Sequence, residues 1–203
     1  METPQQRFED LLERWSQAAA GEDRRTVEET LREEFEEERA IMVIDMSGFA
    51  RQVIKEGIVP FLARMNAMRR IAVPVIERLG GNLVKFVGDD VLAVLPSPDL
   101  AVAAATEIVA AGHRHSADRP DLAFHLCIGI GYGRILHVRS DDVWGDEVNR
   151  AFKLGEEIGC ATDILLTKQA YDALEGDKSR FESTLHTVSG IVLESFALIE
   201  NPE

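Results

Sequence analysis

The chain has 203 residues, 45% hydrophobic and 29% charged, which is typical of one globular domain with a full core and a short extension. Its formal net charge of −14 disfavours nucleic acid and anionic membranes as partners, because both carry phosphates that this charge repels. There is no apolar run of about 20 residues, no apolar signal-peptide core and no metal-ligand spacing between the two cysteines. We therefore expect a cytoplasmic protein without membrane insertion, disulfide framework or nucleic-acid partner.

Residues 1–38 are predicted to form a helical extension. Phe8, Leu11 and Trp15 recur with helical spacing before Gly21, and a second stretch repeats apolar residues every four positions beside a face rich in Glu and Arg. We expect amphipathic helices that pack on their own domain. The alternative is a dimerising or signal-relaying helix, although the apolar stripe is too short to establish a coiled coil.

Residues 39–199 form the predicted main domain. Ala40–Ile44 is a continuous apolar run, typical of a strand buried on both faces. A helical stretch follows to about Leu79, with Pro60 near a helix start and Pro74 as a kink. Two strands, 83–86 and 91–95, are predicted to pair around a turn at 87–89, and residues 99–115 to form a helix.

The second half of the domain continues this alternation. Strands are predicted at 122–130 and 135–138, joined by a turn at Gly131-Tyr132-Gly133. The further predicted elements are a helix at 145–158, a strand at 164–166, a helix at 168–174 and a terminal hairpin of 181–188 with 191–199. The early order of strand, helix, hairpin, helix and strand predicts an α+β fold with helices on one face of a mainly antiparallel sheet.

The first feature with chemical meaning is Asp45, which directly follows the apolar run. A carboxylate there is costly unless it has a partner or a task. Ser47 and Gly48 allow a tight turn, and backbone amides at the next helix start can face an anion. The alternative interpretation is an aspartate that caps that helix.

The second feature is the turn at Gly88, where Asp89 and Asp90 lie at the tip. Such acids are common at solvated hairpin tips. Together with Asp45, however, carboxylates at adjacent strand ends can bridge two divalent ions about 3.5–4 Å apart, as in-line phosphoryl transfer requires. Ligands that are all oxygen favour Mg²⁺ or Mn²⁺ over zinc.

The third feature is the segment 142–153. Asn149 and Lys153 are four residues apart and are predicted to share one helix face. A neutral donor and a cation on one face can stabilise charge that develops on a phosphate. The alternative is an exposed pair on an amphipathic helix.

Together these segments resemble the class III adenylate and guanylate cyclases over about residues 39–199. Residues 41–49 are similar to the family's first metal-binding strand and phosphate loop, 85–89 to its hairpin with the second metal aspartate, and 142–153 to its base-recognition and transition-state segment. The resemblance implies a ferredoxin-like βαββαβ core of the class III cyclase type, with the helical extension before it.

The resemblance also implies a role for each matching residue. Asp45, Met46 and Asp89 would hold two Mg²⁺ or Mn²⁺ ions. Asn149 would orient the ribose, and Lys153 occupies the position of the family's transition-state arginine. The implied substrate contacts are the phosphate loop and the base-reading pair, namely Ser47, Gly48, Phe49, Lys85 and Asp142.

The base-reading pair indicates ATP as the substrate. Lysine only donates hydrogen bonds and aspartate only accepts them, so Lys85 and Asp142 complement adenine N1 and the N6 amino group. Guanine reverses this pattern at the same atoms. The predicted activity is therefore conversion of ATP to cyclic AMP and pyrophosphate.

The chain departs from the family pattern at two places. Lys153 keeps the charge of the expected arginine but lacks its planar fork. Val188–Ile191 has no basic residue where the family has a lysine for the γ-phosphate. These departures favour one alternative, a degenerate cyclase domain that binds nucleotide or a partner without turnover. A further alternative is a cyclase for GTP or a pyrimidine nucleotide, because a base code of two residues can mislead.

The positions of Lys85 and Asp89 also predict a dimer. These residues flank one tight turn, yet their implied tasks lie at opposite ends of the nucleotide. A head-to-tail homodimer with two composite sites resolves this, because each chain then contributes its acids to one site and its base-reading residues to the other.

Overall fold

The computed structural model describes residues 2–46, 49–139, 141–158, 164–188 and 191–199. The strands are β1 (Glu36–Met46), β2 (Asn82–Val87), β3 (Asp90–Leu95), β4 (Leu126–Val138), β5 (Asp142–Trp144), β6 (Ile164–Thr167), β7 (Phe181–Val188) and β8 (Ile191–Leu198). The α-helices are α1 (Pro4–Gln17), α2 (Glu22–Phe35), α3 (Phe49–Glu56), α4 (Ile58–Arg78), α5 (Pro98–Asp118), α6 (Asp146–Phe152) and α7 (Lys168–Asp172).

The described strands form one sheet in the order β2-β3-β1-β4-β6-β8-β7, and β5 pairs with the far end of β4. The pairing of β4 with β6 is parallel, and the other described pairings are antiparallel. Helices α3 and α4 connect β1 to the β2–β3 hairpin, and α5 connects β3 to β4. The predicted α+β class and ferredoxin-like βαββαβ core are confirmed.

Strand β1 is the centre of the core because it is buried on both faces, as its apolar run predicts. Met42 and Ile44 point to one face and pack in a cluster with residues of α4 and α5. Ile41 and Val43 point to the other face, where β5 and α6 cover them. Helices therefore lie on both faces of the sheet rather than on one, and α6 is the helix on the second face.

The predicted turn at Gly131-Tyr132-Gly133 is wrong. Strand β4 continues through these residues and pairs with β1 from Leu126 opposite Met46 to Leu136 opposite Glu36. The glycines are needed for packing: a Cβ at Gly129 would lie 2.1 Å from the carbonyl oxygen of Ala151, and one at Gly131 would lie 2.6 Å from that of Glu147. Glycine in β4 thus allows α6 to approach the sheet closely.

Two predicted helices are divided differently in the structure. The stretch after β1 breaks at Gly57, whose φ of 87° favours glycine, so that Pro60 lies in the first turn of α4 and Pro74 inside it. The helix predicted at 145–158 is α-helical over Asp146–Phe152 and then widens to a π-helical turn over Lys153–Ile158. Such turns are uncommon in proteins overall, and those that occur often lie at functional sites.

Helices α1 and α2 pack on the chain's own sheet, at the end formed by β4 and β5. The Phe8 ring stacks on Trp144, with centroids 4.8 Å apart, and meets Phe35 edge-on at 5.2 Å. Leu11 is fully buried in the same cluster, which includes Val138 of β4. Strand β1 begins at Glu36, directly after α2, and so includes the last residues of the predicted extension.

Within the described residues, we find no helix with both the length and the apolar character needed to cross a bilayer.

Candidate active site

The β1–β3 pairing brings three carboxylates together. Asp45 lies at the end of β1, Asp89 in the β2–β3 turn and Asp90 at the start of β3. Ile44 pairs with Val91, so the preceding residue of β3 lies beside Asp45. One oxygen from each of the three carboxylates lies within 4.8 Å of the others. We call these residues the acidic cluster.

The electrostatics of the acidic cluster favour a bound cation. Burial, followed by the charge of Asp89, raises the pKa of Asp45 to about 6. Burial, followed by the hydrogen bond and charge of Glu156, raises the pKa of Asp90 to about 8. Oδ1 of Asp90 is buried without a hydrogen-bond partner among the described residues. A divalent ion would offset the repulsion and satisfy this oxygen, and oxygen-only ligands suit Mg²⁺ or Mn²⁺.

Asp90 and Glu156 were not among the residues predicted to act. The signal for Asp90 was its place next to Asp89, but only the strand register shows that it faces Asp45. Glu156 comes close through the π-helical turn, which the sequence did not predict. The side chain of Met46 is buried in the main core, so its backbone carbonyl is the group it could offer a metal.

Raising the pH is expected to destabilise the metal-free protein. Because the folded-state pKa values of Asp45 and Asp90 are raised to about 6 and 8, their stabilising contribution is fully present below about pH 4 and is lost as the pH rises through those values. Thermal unfolding without divalent ions should give a Tm at least about 5 °C lower at pH 8 than at pH 5.

The control for this effect is Asp45→Asn/Asp90→Asn, which removes both titrating groups. Its Tm should change less between the two pH values than that of the wild type. Mn²⁺ should raise the wild-type Tm at pH 8 and leave that of the double variant unchanged. Equal pH dependence in both proteins would contradict the assignment.

The predicted phosphate loop lies mostly outside the described residues. Ser47, Gly48 and the side chain of Phe49 lie outside the described part of the chain, and α3 begins at Phe49. Their roles as substrate contacts stay predictions.

The predicted base-reading residues meet in one chain. Lys85 of β2 donates a hydrogen bond from Nζ to Oδ2 of Asp142 in β5, at 2.6 Å. The backbone amide of Val143 donates to Oδ1 of the same aspartate at 2.9 Å. Val143 is buried on the second face of the sheet with Val84 of β2, and this packing places β5 beside β2.

Asn149 and Lys153 line one cavity, although the helix widens between them. The cavity has a volume of about 460 Å³, and its walls come from α6, the end of β6, the start of α7 and β8. We call it the α6 cavity. Asn149 is in the last turn of α6, and Lys153 begins the π-helical turn.

Solved structures identify the fold, whereas no protein-family model and no curated protein matches the chain. The adenylate/guanylate cyclase/hydrolase from Silicibacter pomeroyi is 26% identical, with a TM-score of 0.68, and the match spans 82% of this chain and 98% of that protein. By structure, the chain has the fold of the class III nucleotidyl cyclase catalytic domains. Two further solved structures have the same fold. A bacterial light-regulated adenylyl cyclase is 22% identical, with a TM-score of 0.67, and the match spans 80% of this chain and 52% of that one. The catalytic core of a rhodopsin-guanylyl cyclase with converted specificity, in complex with ATPαS, is also 22% identical, with a TM-score of 0.65, and the match spans 80% of this chain and 96% of that one.

The candidate residues that the structure describes lie in three places in the fold. The acidic cluster lies where β1 meets the β2–β3 turn. The α6 cavity is lined by other residues, and the Lys85–Asp142 pair is held between β2 and β5. These three places share no residue with one another.

Proposed function

We propose that this cyclase domain is an adenylate cyclase that converts ATP to cyclic AMP and pyrophosphate at composite sites in a head-to-tail homodimer. The observation that carries the proposal is the acidic cluster, because it joins two predicted metal ligands from distant segments on a cyclase fold. Its carboxylates suit the divalent ions that two-metal cyclisation uses.

The reaction is an intramolecular displacement at the α-phosphorus. The ribose 3′-hydroxyl loses its proton to water, and its oxygen forms a bond to that phosphorus. The bond from phosphorus to the oxygen that bridges to the β-phosphate breaks, and pyrophosphate leaves. Two Mg²⁺ or Mn²⁺ ions held by Asp45 and Asp89, with the Met46 carbonyl, would supply charge neutralisation and a more acidic 3′-hydroxyl. The position of Asn149 suits orientation of the ribose, and Lys153 is a cation four residues further along on that cavity wall.

The assignment of ATP rests on the Lys85–Asp142 ion pair. In this pair the ammonium donates and the carboxylate accepts at one place, which is the arrangement that the N1 and N6 atoms of adenine require. Both side chains are partly exposed, at 36% and 28%, so an incoming base can exchange with this contact.

Exchanging the base-reading pair is expected to change nucleotide preference. Lys85→Glu/Asp142→Ser should lower kcat/KM for ATP about 100-fold, because each lost base contact costs about 1.4 kcal/mol or more, and should admit GTP. The measurement is kcat/KM for both nucleotides with Mn²⁺. A wild-type protein that cyclises GTP or UTP well and ATP poorly would show that the pair does not read adenine.

Lys153 is expected to act on the transition state rather than on substrate binding. Lys153→Ala should lower kcat about 100-fold with a smaller rise in KM, whereas Lys153→Arg should keep or raise kcat. Steady-state kinetics of the three proteins with ATP and Mn²⁺ measure this. The same kcat in all three would remove Lys153 from the mechanism.

The placement of the acidic cluster and the Lys85–Asp142 pair on different residues around the β2–β3 hairpin supports the proposal of a shared site. Lys85 is held by Asp142, whereas Asp89 lies four residues later in the acidic cluster. One extended nucleotide must contact the acids at its phosphates and the base-reading pair at its other end. A two-fold dimer can supply the acids from one chain and Lys85, Asp142 and Asn149 from its partner.

The second candidate function is nucleotide binding without turnover. Lysine in place of arginine at position 153 and the absence of a basic residue in Val188–Ile191 favour it. Retention of ATP binding without any cyclic product would distinguish this function from catalysis.

A further inference from the structure

The α6 cavity contains more positive charge than the predicted residues supply. Arg150 of α6 and Lys168 of α7 line it together with Lys153. These three cations outnumber the acids of the same lining, which are Asp146 and Glu194. In a chain with a net charge of −14, three cations around one cavity provide donors for a bound polyanion, although Arg150 and Lys168 each also pair with an acid outside the lining.

A buried carboxylate positions Arg150 and the backbone that carries Lys168. Glu147 is only 7% exposed, and its Oε1 accepts from Arg150 Nη1 at 3.1 Å. Its Oε2 accepts from the Thr167 hydroxyl at 2.5 Å, and Thr167 directly precedes Lys168. Glu147 thereby joins the Arg150 side chain to the start of α7. The Arg150 side chain and the backbone at Lys168 are thus placed at one cavity before any ligand arrives.

Both cations can exchange their present contacts for a phosphate. Lys168 Nζ pairs with Asp172 at 3.0 Å, and both side chains are more than half exposed. Exposed pairs four residues apart contribute little to stability, so their exchange costs little. Arg150 is 40% exposed, and its guanidinium has further N–H groups besides the one that meets Glu147.

We infer that Arg150 and Lys168 bind the terminal phosphates of the nucleoside triphosphate whose ribose lies against Asn149. The inference rests on the proposed function for the placement of the nucleotide. It assigns the cationic contact for these phosphates to α6 and α7 in a chain whose last hairpin has no basic residue at Val188–Ile191.

The direct test measures the binding of inorganic tripolyphosphate at low ionic strength by the broadening of its ³¹P NMR lines. Arg150→Gln/Lys168→Gln should weaken binding about tenfold or more, since each charge-assisted contact to phosphate is worth about that factor. Arg78→Gln/Arg119→Gln removes the same two charges from exposed ion pairs elsewhere, and its affinity should stay within about twofold of the wild type. If the double variant does not fold, the single variant Lys168→Gln, which changes an exposed side chain, is measured in the same way and should also bind tripolyphosphate more weakly than the wild type.

Kinetics supply the second readout. In the double variant, KM for ATP and the inhibition constant of pyrophosphate should both rise about tenfold, with a smaller change in kcat. If the double variant is active and binds tripolyphosphate with wild-type affinity, the inference is overturned and the proposed function still stands. Loss of tripolyphosphate binding in the double variant, in a protein that cyclises no nucleotide, would support the inference and overturn the proposed function. Failure of the wild type to bind tripolyphosphate would also overturn the inference.

Discussion

Asp45→Asn is expected to abolish cyclisation and to leave the protein at least as stable as the wild type. The substitution removes a metal ligand from the acidic cluster, and the loss of two-metal catalysis should lower kcat about 1,000-fold or more. It also removes a charge that Asp89 repels, since burial and that repulsion are what raise the pKa of Asp45. Activity and stability should therefore change in opposite directions, which a damaged fold would not produce.

The measurements for this variant are cyclic nucleotide formation, Mn²⁺ binding by calorimetry and thermal unfolding. Asp121→Asn is the matched control, because Asp121 pairs with Arg119 at the surface and both side chains are exposed. The control should retain wild-type turnover and Mn²⁺ affinity. Turnover at the wild-type rate in Asp45→Asn would refute the two-metal assignment.

Mixing two inactive chains is expected to restore activity. Asp45→Asn damages the acidic part of a site, and Asn149→Ala damages the part that orients the ribose. In a head-to-tail heterodimer, one of the two sites receives intact residues from both chains. Random mixing should make half of the dimers heterodimers, so about a quarter of wild-type activity should return.

The negative control for complementation mixes Asp45→Asn with Asp89→Asn. Both changes affect the acidic part, so each site of this heterodimer contains one damaged group and activity should stay absent. Heterodimers must be demonstrated with distinguishable affinity tags on the two chains. No recovery in the first mixture, despite such heterodimers, would contradict shared sites.

The sequence predicted the elements whose patterns are local. The apolar run Ala40–Ile44 identified the doubly buried strand, and the Gly88 turn between two β-rich stretches identified the β2–β3 hairpin. The order of these elements predicted the α+β class, and the resemblance to class III cyclases implied the ferredoxin-like core. Each depended on residues close together in the chain, where periodicity and turn chemistry are informative.

The sequence could not predict features that depend on contacts between distant residues. Gly129 and Gly131 suggested a turn near them, but they lie in a strand because α6 passes close by. The contacts of Glu147 with Arg150 and Thr167 depend on where β6 lies in the sheet. The proximity of Asp90 to Asp45 depends on the register of β1 and β3. A polar residue inside a helix pattern is most often solvated, so the burial of Glu147 had no local signal.

The most direct test of the proposed activity is mass detection of products after incubating the wild-type protein with ATP, GTP, CTP and UTP in one mixture containing Mn²⁺. We expect cyclic AMP with an equal amount of pyrophosphate, and little or no cyclic product from the other three nucleotides. Asp45→Asn under the same conditions should form none. Absence of any cyclic product from a folded, dimeric wild-type protein would contradict the proposal that this domain is a cyclase.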